Sequence, residues 1–102
     1  MSYKIQATLD DISIYCACLK ETYDNAPKEK ITIKEKAELN YIFNLIEKLE
    51  DQKKLYESDI NAILPLELRN EEMRLIYNSV EKYANYNIAF EKIYYGYRAK
   101  KI

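Results

Sequence analysis

The chain has 102 residues, 48% of them apolar and 32% charged, with a formal net charge of −1. That is enough chain for one packed domain and too little for two ordinary ones; it is too apolar for intrinsic disorder and too nearly neutral to steer polyanions or polycations by a strong overall field. One glycine and two prolines exclude the turn-dense sandwiches and barrels and favour an all-α fold.

The opening stretch, MSYKIQATLDDISIY, lacks the basic-then-apolar order of a secretory leader, since Asp10 and Asp11 stand where apolar residues would be needed. No run approaches the ~20 apolar residues of a membrane span, so a cytoplasmic protein is expected. Ile5, Leu9, Ile12, Cys16, Leu19 and Tyr23 recur at spacings of four and three, the stripe of an amphipathic helix. Thr8 suits its N-cap and Pro27 disfavours helical angles at Ala26, which places the first helix at 8–24.

The stretch APKEK reads as a loop. Thr32 and Glu35 then form a T-x-x-E capping box, and Leu39, Ile42, Ile46 and Leu49 make a second stripe that Phe43 and Leu45 widen. The second helix is expected at 33–54. In 55–70, Ser58 suits the cap of a short helix at 58–64, followed by a buried connector; the spacing of Leu64, Leu66 and Leu68 would also fit a short extended piece.

Asn70 caps the expected third long helix, 71–99, with Glu71 and Glu72 in its first turn. Met73, Ile76, Val80, Tyr83, Asn87, Phe90, Tyr94 and Tyr97 alternate three and four apart, a 3.5-residue period that suits left-handed knobs-into-holes packing. With its flanking apolar residues this face spans roughly 200° of the wheel, which predicts a central position or contact with another molecule. The expected architecture is a single domain over 1–102. It is a small helical bundle of three long helices plus one short helix or connector, with a coiled-coil-like seam on the C-terminal helix.

The chain has no histidine, which removes the usual general base and the commonest metal ligand. Cys16 and Cys18 are two apart on a helix and point to different sides, so they read as small packing residues and not as a disulfide or a metal pair. One glycine supplies no phosphate-cradling loop. Of the adjacent carboxylate pairs Asp10/Asp11, Glu50/Asp51 and Glu71/Glu72, two sit in first turns of helices, where dipole electrostatics accounts for them. No enzyme, catalytic residue, metal, cofactor or small-molecule substrate is expected.

Eleven tyrosines and no tryptophan suit half-buried positions with the hydroxyl facing water or a partner. On the C-terminal helix Tyr83, Tyr86, Tyr94 and Tyr97 fall within about 80° of each other, with Tyr77 and Tyr95 to one side. The leading expectation is a protein-interaction module that binds and occludes a macromolecular partner. Its surface would be Tyr77, Tyr86, Tyr95, Arg98 and Lys101, with the Tyr and Arg anchors dominating. Size and composition alone suggest, by analogy, an inhibitor or immunity protein of phage or mobile-element type.

Two alternatives stand beside it. Tyr94, Tyr95, Tyr97, Arg98, Lys100 and Lys101 combine rings and cations, as weak sequence-neutral nucleic-acid binding does. A homo-oligomer through the wide face of the C-terminal helix is the other, with Asn87 in the seam fixing register.

Overall fold

The computed structural model describes residues 2–84 and overturns the helix-only architecture. Its order is β1 (Ser2–Ala7), α1 (Leu9–Asn25), α2 (Ile33–Lys54), β2 (Leu64–Arg69) and α3 (Asn70–Ala84). The described residues are mostly helical, but among them a two-stranded antiparallel sheet stands beside three helices, in place of a bundle of three long helices and a short one.

Both strands alternate. Tyr3, Ile5 and Ala7 lie opposite Leu68, Leu66 and Leu64, facing the core, while Ser2, Lys4 and Gln6 lie opposite Arg69, Glu67 and Pro65, facing solvent. This is the period of two that one buried sheet face requires. Ile5 therefore belongs to a strand and not to the first helical stripe. The expected 58–64 helix is absent: residues 55–63 form successive turns, with Asp59 N–H bonded to the Tyr56 carbonyl and Ala62 N–H to that of Asp59. The Asp59 carboxylate accepts from the Asn61 N–H at 3.0 Å, a local bond that competes with helix formation.

Each strand runs almost directly into a helix. Thr8 alone separates β1 from α1. Its hydroxyl accepts from the Asp11 N–H at 3.2 Å and the Asp11 carboxylate accepts from the Thr8 N–H at 2.9 Å, a reciprocal capping box. Thr32 and Glu35 repeat that arrangement at α2. At α3 the capping residue is Arg69 and not Asn70: the Glu72 carboxylate accepts from the Arg69 N–H at 2.8 Å, and Asn70 is already helical. α1 ends at Asn25, and Ala26 is extended before Pro27. Lys28 reaches back to the Tyr23 carbonyl at 2.8 Å, placing a cation at the helix C-terminus. In the loop that follows, Lys30 takes φ 57°, a left-handed conformation that glycine adopts at less cost.

α1 is the element that packs on both α2 and α3. Ile12, Tyr15, Cys16 and Leu19 from α1 are buried with Ile42, Leu45 and Leu49 from α2, and with Met73, Ile76 and Val80 from α3. Leu66, Leu68 and Ala7 close the sheet side. Of the expected seam, Met73, Ile76 and Val80 are buried and Tyr83 packs against the core. Asn87, Phe90, Tyr94 and Tyr97 lie outside the described residues. No helix among the described residues is long and apolar enough to cross a membrane.

Candidate functional site

Of the expected contact residues, Tyr77 lies half-buried on α3. Tyr86, Tyr95, Arg98 and Lys101 lie outside the described residues, as do Tyr94, Tyr97 and Lys100. The surfaces that can be built from the residues upward are a cleft beside α2 and the connector 55–63.

The cleft has α2 as one wall and α3 with the end of β2 as the other. It consists of hollows of about 750, 450 and 280 Å³; Tyr41 lines the first two, and Glu38 and Leu75 line the last two. Buried Ile42, Leu45 and Leu75 contribute its apolar surface. Two ion pairs span it, Lys48–Glu72 at 2.9 Å and Arg74–Glu38 at 3.3 Å. Arg69 lies over the Tyr41 ring, 5.4 Å from its centroid, a cation–π contact.

Glu72 organises the large end of this cleft. Its side chain is 4% exposed and takes hydrogen bonds from Lys48 Nζ, the Arg69 N–H and Arg69 Nε. Burial works to raise its pKa, but the Arg69 amide and the Lys48 ammonium outweigh burial and hold the carboxyl below its ordinary value, the pattern of a paired buried carboxylate. Charge is thus balanced inside the cleft, with Lys48 and Arg69 set against Glu67 and Glu72.

The connector has a different character. Tyr56 is 1% exposed and its hydroxyl donates to the Ala7 carbonyl at 2.6 Å. Around this anchor Leu55, Ile60 and Ile63 are 59%, 67% and 61% exposed. Glu57, Ser58, Asp59 and Asn61 stand exposed among them.

A third cluster bears on chemistry. Cys16 Sγ donates to Glu50 Oε1 at 3.0 Å, and Lys20 Nζ donates to the same oxygen at 2.9 Å. Burial, with the carboxylate second, pushes the Cys16 thiol up to about 11. The bonds from Cys16 and Lys20 hold Glu50 down at about 2. The thiol keeps its proton and serves as a donor, the reverse of an activated cysteine. Cys18 is buried and its thiol is likewise raised by burial. Among the described residues no group of three His, Cys, Asp or Glu is placed to hold a metal ion.

Sequence reasoning missed Glu72 as an organising residue because its carboxylate was already accounted for by the helix dipole. The i, i+3 spacing from Arg69 was the available signal. It also missed the exposure of Leu55, Ile60 and Ile63, for which no local signal exists. No protein-family model, no curated protein and no solved structure matches the chain.

Proposed function

We propose that the chain is a non-enzymatic interaction module that acts by binding a protein partner, with the connector 55–63 as its contact surface. One observation carries this reading: three of the five large apolar side chains exposed among the described residues fall within these nine positions. Single exposed aliphatics are ordinary, but a local group of them is characteristic of a contact surface. The turn bonds and the Tyr56 anchor hold the backbone in place, so little ordering cost accompanies docking. Glu57 and Asp59 give the rim a negative sign. The matching partner surface is an apolar depression with basic groups at its margin. Occlusion of a functional surface on the partner, in the manner of an inhibitor, is the mode of action such a small module supports.

The test uses the full chain expressed in cells, with a photo-crosslinking residue at position 60 or 63 and a control at exposed Lys36. A discrete protein adduct is expected from positions 60 and 63 and not from position 36. Leu55→Ser, Ile60→Ser and Ile63→Ser together, with the crosslinker at exposed Glu57, are expected to leave the melting temperature unchanged and abolish the adduct. A large loss of stability instead would identify these aliphatics as packing residues and overturn the reading.

A further inference from the structure

The two edges of the sheet are finished differently. On β2, Pro65 has no N–H, and its carbonyl accepts from Gln52 Nε2 at 3.3 Å. At the other end of the strand the Arg69 N–H donates to Glu72 Oε1 at 2.8 Å. Both groups therefore point away from β1. The alternation of an antiparallel ladder then turns Leu64, Leu66 and Leu68 toward β1 and Pro65, Glu67 and Arg69 outward. Through the register, Ser2, Lys4 and Gln6 direct their main-chain N–H and C=O groups to the far side of β1. Among the described residues, no hydrogen bond reaches the main chain of Lys4 or Gln6 from that side. Among the described residues one edge is blunted by a proline, a glutamine and a glutamate and the other is open, and an open edge is a template for a further strand.

We propose that β1 is a self-association surface, on which a second copy of this chain pairs its own β1 antiparallel about a two-fold axis normal to the sheet. The product is a four-stranded sheet with the two core-facing sides continuous. The occupant follows from the sequence of the strand itself. Main-chain bonds form only in registers that oppose two outward-directed residues. An axis at Lys4 opposes Lys4 to Lys4 on the solvent face, a destabilising like-charge pair. An axis at Tyr3 or Gln6 halves the overlap of the six-residue strands. An axis at Ile5 keeps the overlap from Tyr3 to Ala7 and opposes Lys4 to the partner's Gln6, so that the two residues exchange both main-chain bonds. On the core side it sets Ile5 against the partner's Ile5, and large Tyr3 against the partner's small Ala7. Charge and alternation thus select one register. Joining the sheets also relieves a two-stranded sheet of its weakness, since such sheets gain from added strands.

The test is sedimentation of the full chain, without residues added before Met1, over a dilution series. The wild type is expected to interconvert between monomer and dimer. Lys4→Pro removes an outward N–H and spares the bonds to β2, just as Pro65 does on the other strand. It is expected to stay monomeric at every concentration, with unchanged helical circular dichroism. Because a proline can disturb folding, two cysteine variants supply an independent readout. Opposed non-hydrogen-bonded residues bring their Cα atoms within disulfide range, so Ile5→Cys is expected to give a covalent dimer on mild oxidation well beyond that from Lys4→Cys. A wild type that remains monomeric throughout overturns the proposal. So does a dimer that survives in folded Lys4→Pro, or equal crosslinking by the two cysteine variants.

Discussion

The phenol of Tyr56 donates to the main-chain carbonyl of Ala7 at 2.6 Å, and both residues are sealed from solvent. The bond ties the connector between α2 and β2 to the last residue of β1, 49 positions away. Tyr56→Phe removes the hydroxyl and leaves a buried carbonyl with one partner fewer, at an expected cost of about 1–2 kcal/mol. Urea denaturation measures it. A change below ~0.5 kcal/mol would show that the connector is held by packing alone.

Glu72 predicts how stability depends on pH. Its folded pKa lies below the ordinary value of 4.5, and that of Glu50 lies at about 2. In the window between the unfolded and folded values the unfolded chain binds more protons, so stability is fully present above about 4.5 and is lost as pH falls toward about 2. With no histidine in the chain, no side chain of that kind titrates near neutrality, and the melting temperature is expected to be flat from about pH 6 to 8. Glu72→Gln is expected to lower stability at neutral pH by about 2 kcal/mol and to make the acid-side fall shallower. Thermal melts across the range check both, and an acid-side fall as steep in Glu72→Gln as in the wild type would remove Glu72 from the account.

The helix boundaries at α1 and α2 were legible because their signals are local: Thr8 and Thr32 carry their own capping partners three residues on, and Pro27 ends α1 by its effect on Ala26. β1 was not legible, because Ile5 satisfies two periods at once. It stands four residues before Leu9, in phase with the helix, and two from Tyr3 and Ala7, in phase with the strand. The strand phase is realised through partners near position 66, and a contact that distant leaves no local trace. The alternation of Leu64, Leu66 and Leu68 was visible, but Ser58 as a cap and Pro65 as a stop favoured a short helix before it. Pro65 fits β2 because its missing N–H would have faced outward.

The candidate site was less legible than the fold. Of the expected tyrosine-rich face, Tyr77 and Tyr83 lie on α3, while Tyr86, Tyr94, Tyr95 and Tyr97 lie outside the described residues. Leu55, Ile60 and Ile63 differ from buried Leu66 and Leu68 in exposure and not in residue type, and exposure follows from where Tyr56 docks.

Period two in β2 can be tested by scanning it. Leu66 is 1% exposed, while Pro65 and Glu67 face solvent. Leu66→Ala is expected to cost about 2–5 kcal/mol through lost burial and the cavity left behind. Glu67→Ala is expected to stay within about 0.5 kcal/mol. Leu68→Ala should resemble Leu66→Ala. Equal costs at positions 66 and 67 would mean that this segment does not bury one face only.

Cys16 and Cys18 are free thiols, 2% and 5% exposed. Both have raised pKa values, chiefly from burial, with Cys16 at about 11. Thiolate is the reactive form, so neither should react with a disulfide reagent near pH 8 until the chain unfolds. Labelling should then appear in a single unfolding-limited phase. Glu50→Gln removes the negative charge that opposes ionisation of Cys16, so the onset of Cys16 labelling should move to lower pH. It should remain above that of an unfolded thiol because burial, the larger cause, persists. Mass spectrometry of alkylated peptides against pH separates the two cysteines. Rapid labelling of Cys16 in the folded wild type would mean that its sulfur is an accessible nucleophile and not a buried donor to Glu50.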